Sequence, residues 1–132
     1  MHQPCTEAPP ALLRAGVAQF NHGEYFEQHE TLETLWRAET RAVRHVYRGI
    51  LQIGVAFHHL RRGNYHGVVV MLKRGVHNVR PFLPTCQGVD VDALVRDAER
   101  ALHAVQQLGP DRLGAFDWQL APRVRLGNDS GG

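Results

Sequence analysis

Three side chains able to move protons or ligate a metal fall close together between Tyr25 and Trp36: His29, Glu30 and Glu33. At about 100° per residue, Tyr25, Leu32 and Trp36 share one helical face. His29 lies inside that arc, and Glu33 sits one turn further on at its edge. A second set of polar groups lies within residues 41–62. That segment is apolar almost all the way round, with Val43, Val46, Tyr47, Ile50, Leu51, Ile53, Val55, Phe57 and Leu60. Arg41, His45, Arg48, Gln52 and His59 form one narrow stripe on it, about 60° wide. Burying an imidazole or a carboxylate costs free energy unless it finds partners. The expectation is therefore one shared interior cluster of His29, Glu33, Gln52 and His59, with Glu30 and Arg48 at its margin.

Such a cluster supports three chemistries. It can be an internal hydrogen-bond network in which every donor and acceptor is satisfied. It can be a pocket for a small molecule or an anion. It can also be a divalent-metal site with His29, Glu33 and His59 as ligands. Three N/O ligands with an open position suit zinc, manganese or iron, and the chain would then be a metal-dependent enzyme such as a hydrolase. Familiar spacings narrow the metal option. His29-Glu30 is followed at position 33 by glutamate, so the zinc-protease motif His-Glu-x-x-His is absent. Neither Glu-x-x-His nor His-x-x-x-His occurs, which removes the di-iron carboxylate pattern. Serine nucleophile motifs are absent too, the one serine being Ser130, and Cys86 has no base near it in sequence.

The elements that position these groups are helical. Period-2 alternation is missing, and the sequence predicts five helices over residues 10–20, 24–39, 41–62, 65–80 and 90–108. Pro10 suits a first turn, Thr40 is the expected N-cap of the third helix and Gly63 its left-handed stop. Asn64 caps the fourth, which Pro81 and Pro84 end, and Gly109-Pro110 ends the fifth. Gly49 and Gly54 inside the third helix cost about 1 kcal/mol each relative to alanine, so they point to close approach by a neighbouring helix or a ligand. His66, Lys73 and His77 fall on the solvent side of the fourth helix. Residues 111–132 lack a helical period. Phe116, Trp118 and Leu120 are expected to lie as a strap over the bundle, and residues 128–132 to be disordered. Short turns between successive helices make neighbours antiparallel. The fold class is all-α: an up-and-down bundle of about five helices with an irregular C-terminal tail.

Composition sets the remaining bounds. A chain of 132 residues reads as one domain, residues 1–132, ordered over about 9–122 and flexible at 1–8 and 126–132. No apolar stretch reaches about 18 residues and no signal-like segment opens the chain, so it reads as soluble and cytoplasmic. Cys5, in an expected floppy tail, and Cys86, in a Pro-rich loop, read as free thiols in a reducing compartment. Charge is segregated. Residues 24–39 carry five glutamates against Arg37 alone, while residues 40–89 carry eight Lys or Arg and no carboxylate. Either the acidic helix offsets the basic ones or the basic stretch takes an anionic ligand. Nucleic acid is disfavoured, because no recognition motif and no aromatic residues are interleaved with the arginines. A homo-oligomer or protein partner remains an alternative, with Tyr65, Phe82 and Trp118 as its exposed contacts.

The run Phe20-Asn21-x-Gly23-x-Tyr25-Phe26-Glu27-x-His29-Glu30-x-Leu32-Glu33-x-x-Trp36 resembles a family of bacterial and archaeal proteins, the domain of unknown function 309. The resemblance continues through Tyr47-x-Gly49-x-x-Gln52, Ala56, His59 and Gly63-Asn64-x-x-Gly67, covering residues 17–80. Val68 departs from it, the family having alanine there, which bears on packing. The resemblance implies a small all-α bundle, and no activity comes with it.

Overall fold

The computed structural model describes residues 3–127. Five α-helices carry the fold: α1 (Ala11–Asn21), α2 (Tyr25–Ala38), α3 (Arg44–Arg61), α4 (Tyr65–Val79) and α5 (Val91–Leu108). Helix α3 is central, packed on α2 to one side and α4 to the other, while α1 covers α2 and α5 covers α4. The core runs through Phe20, Leu32, Tyr47, Ile50, Ile53, Phe57, Leu72 and Leu94, all essentially inaccessible. The architecture is the expected all-α bundle. No helix among the described residues is long and apolar enough to cross a membrane.

The local signals explain most of the boundaries. Gly63 takes a φ of +71°, the left-handed region open to glycine, and ends the turn after α3. The Asn64 side chain accepts from the Gly67 N–H at 2.9 Å and starts α4. Asp90 does the same for α5 through Ala93. One boundary departs from expectation. Helix α3 begins at Arg44 rather than at residue 41, and Thr40 does not cap it. The Glu39 carboxylate accepts from the Arg41 backbone N–H at 3.1 Å and from its guanidinium at 2.8 and 3.0 Å. Arg41 also reaches Glu7 at 2.8 Å. These bonds hold residues 39–43 in a turn, and the hydrogen bond from Arg41 keeps the Glu39 carboxyl down at about 2.

The two cysteines correct the sequence reading. Cys5 and Cys86 form a disulfide, so neither is a free thiol, and the ground for inferring a reducing compartment is gone. Cys5 lies in a 3-10 turn, Gln3–Thr6, that packs on a hairpin of strands β1 (Thr85–Cys86) and β2 (Val89–Asp90). Nothing in the spacing, 81 residues apart, pointed to this pairing. Gln87, buried beside it, donates its N–H to the Cys5 carbonyl and accepts from the Tyr47 hydroxyl at 2.6 Å. The tail past α5 forms two 3-10 turns, Pro110–Ala115 and Trp118–Leu120, then bridges Val89 through Leu126. Asn21 anchors it by donating to and accepting from Val124. The expected disorder of residues 128–132 lies outside the described residues.

Candidate functional site

The interior cluster expected from the helical wheels does not assemble at one point. On α2 the residue that faces α3 is Gln28, which is wholly buried; His29 and Glu33 lie beside that seam, 36% and 31% exposed. Gln28 donates through Nε2 to the carbonyls of Tyr25 and Leu51, at 3.0 and 3.1 Å. Its amide lies where a Cβ on Gly54 would be, only 2.3 Å from Nε2, which is why position 54 is glycine. The wheel misplaced the inward polar group by one residue because an amide that bonds to carbonyls fits a dry seam better than an ionisable imidazole.

The other predicted residues go to separate partners. His29 Nε2 lies 3.4 Å from Glu33, and Glu33 also meets Arg37 at 3.1 Å, so these side chains find partners along α2 itself. Glu30 points outward. His59 faces α4 instead, packed under Gly67, with its Nδ1 3.4 Å from the Asn64 amide. Burial, the neighbouring His58 and Arg62 lower the pKa of His59, in that order, favouring the neutral ring. The proposed metal ligands His29, Glu33 and His59 therefore do not converge. Among the described residues no group of three or more His, Cys, Asp or Glu is placed to hold a metal ion. Phe82, expected as an exposed contact, is buried, while Trp118 is exposed.

Gln52 and Arg48 meet different company, on α4. The Gln52 Oε1 accepts from Asn78 Nδ2 at 2.6 Å, with Gln52 only 7% exposed. Next to this amide pair is a groove of about 330 Å³ lined by Arg48, Gln52, Lys73, Arg74, His77 and Asn78. Its geometry follows from glycine. A Cβ on Gly49 would meet the Gly75 carbonyl at 2.8 Å, and one on Gly75 would meet the Gly49 carbonyl at 2.7 Å. The backbones of α3 and α4 touch there, and the long side chains flanking the contact outline the groove. Arg48 is held over the Trp36 ring at 5.1 Å, beside Arg44 at 4.6 Å.

What sets this groove apart is that three cations share its lining, which contains no acid. Among the described residues Arg37, Arg41, Arg80, Arg96, Arg100 and Arg125 each meet a carboxylate, whereas Arg48, Lys73 and Arg74 have no ion pair, and neither do Arg44, Arg61, Arg62, Arg112 and Arg123. The sequence points to Arg48 and Gln52, and Lys73 and His77 are exposed on the solvent side as expected; Asn78 is the lining residue that no sequence expectation covers. The signal was available: 73/77 and 74/78 are i,i+4 pairs on the helix antiparallel to 48/52, within the carboxylate-free stretch.

Fold and groove together define a class, a small antiparallel α-bundle with a cation-lined cleft between its two central helices. Residues 13–71 match the family described as Domain of unknown function (DUF309), the resemblance that the Phe20–Trp36 motif carries. The match takes in Arg48 and Gln52 and stops within α4, before Lys73. The chain is also similar to a protein of Aquifex aeolicus (strain VF5) named only as an uncharacterized protein. The two are 21% identical over 103 residues, covering 77% of this chain and 31% of that protein. The chain thus spans about a third of that relative's length.

Proposed function

We propose that this chain is an anion-binding module that holds a small oxyanion in the α3/α4 groove. Arg48, Lys73 and Arg74 supply the charge, and the Gln52–Asn78 amide pair supplies a fixed polar wall. The interior polar groups around Gln28 are then structural. One observation carries the reading: three permanently charged cations, without a carboxylate partner among the described residues, line one cleft beside a buried amide. Like charges held close without counterions repel one another, and an anion relieves that repulsion.

Calorimetric titration with inorganic phosphate at low ionic strength tests it. The wild-type chain should bind, more weakly as salt is added, since the Debye length falls to about 10 Å at 0.1 M. Arg48→Ala/Lys73→Ala/Arg74→Ala should lose about tenfold or more in affinity, at up to about 1 kcal/mol for each exposed charge contact. Its unfolding midpoint should hardly move. No binding by the wild type, or equal binding by the triple variant, would overturn the assignment.

A further inference from the structure

The cation-lined groove does not stand alone. A second cavity of about 340 Å³ adjoins it, lined by Ala42, His45, His77, Asn78, Pro81 and Phe82. His77 and Asn78 belong to both linings, so the two hollows adjoin along them. The characters of the two spaces differ. The first presents Arg48, Lys73 and Arg74; the second presents the carbon surfaces of Ala42, Pro81 and Phe82 between two imidazoles. Asn78, at this shared edge, is held in place because it commits its Nδ2 to Gln52 at 2.6 Å.

We infer that the ligand of the groove is a small organic phosphate with a ring: its anionic head sits among Arg48, Lys73 and Arg74, and its flat apolar part fills the slot between Ala42, His45 and Pro81. This rests on the anion reading above and adds the substrate class. Inorganic phosphate alone would leave the slot's apolar surface in water. A group that covers this surface gains from removing it from solvent, in proportion to the area buried. Imidazoles and a proline ring in the lining are groups on which an aromatic ring can pack. The head and the ring must be joined by a short link, since the two hollows adjoin at His77 and Asn78 and the ligand has to lie across that shared edge.

The test compares inorganic phosphate, phenyl phosphate and phenol by calorimetry on the full chain. Phenyl phosphate should bind about tenfold more tightly than phosphate, the gain expected from burying a few ring carbons, and phenol should bind more weakly than either. Ala42 is exposed in the turn before α3, so Ala42→Leu should fill the slot without disturbing the core. That variant should bring phenyl phosphate to within about twofold of phosphate, a remainder of under half a tenfold step. On the wild-type chain, the amide resonances of His45 and Phe82 should shift with phenyl phosphate and stay in place with phosphate. This reading needs no variant to fold. If phosphate binds but the phenyl group adds nothing, or if Ala42→Leu leaves its advantage intact, the ring subsite is wrong and the anion groove stands. If neither phosphate nor phenyl phosphate binds, both fall.

Discussion

Helix α3 meets its two neighbours in opposite ways. Against α2, the missing side chain of Gly54 makes room for the Gln28 amide, and the seam closes around it. The polar side chains nearby, His29, Glu33 and Arg37, find one another along α2. Against α4, the missing side chains of Gly49 and Gly75 bring backbone to backbone, and the flanking Arg48, Lys73 and Arg74 meet no carboxylate among the described residues. One residue type thus serves two ends. Where glycine admits a side chain, the polar group becomes structural. Where glycine admits a backbone, the long residues beside it outline a cleft.

The largest effect should come from closing the second seam. Gly49→Ala would place a methyl 2.4 Å from Val79 and 2.8 Å from the Gly75 carbonyl, and backbone cannot step aside. A loss of about 3 kcal/mol is expected from overpacking at such a site, read by urea unfolding. Gly54→Ala meets the end of a side chain instead, 2.3 Å from Gln28 Nε2, so the amide can partly yield. A loss of about 2 kcal/mol is expected there. A Gly54→Ala variant less stable than Gly49→Ala would break the contrast between the two seams.

These seams also show what the sequence made legible. The five helices were readable because Gly63, Asn64, Asp90 and Gly109 punctuate them and α5 repeats at 3-4 spacing. The glycines in α3 were legible as close approaches, though not which neighbour each would meet. The polar cluster was half legible. Gln52 is indeed turned inward, but counting Trp36, which is only partly buried, into the apolar arc of α2 rotated the inferred inward face from Gln28 toward His29, about 100° away. His59 was assigned to the wrong neighbour because α3 is covered on both sides, and periodicity does not say which face meets α2. The Cys5–Cys86 bridge was not legible at all, since only the packing of the Gln3–Thr6 turn on the β1–β2 hairpin brings the sulfurs together.

The two buried amides sharpen the contrast at a smaller scale. Gln28→Leu and Gln52→Leu should each cost about 1–2 kcal/mol, the usual loss when one partner of a side-chain hydrogen bond is removed. Only Gln52→Leu should also weaken phosphate binding, because only Gln52 lines the groove. Calorimetry and urea unfolding on both variants would separate them. Equal phosphate affinity in the two would mean that the amide wall plays no part in the site.

The smallest expected effect concerns the far end of the α3/α4 seam, where His59 packs under Gly67. Its pKa is lowered in the folded chain, chiefly by burial, then by His58 and Arg62. The unfolded chain therefore takes up a proton at this position sooner as pH falls below about 6.5. Since protons bind preferentially to the unfolded state there, stability declines on acidification through that range and is unaffected well above it. His59→Gln keeps a polar group against Asn64 without the titration. Unfolding midpoints at pH 7.5 and 5.5 should therefore differ less for His59→Gln than for the wild type. If His59→Gln left the acid slope as steep as it was, His59 would not be held neutral by the seam, and α4 would pack over it more loosely than the Gly67 contact implies.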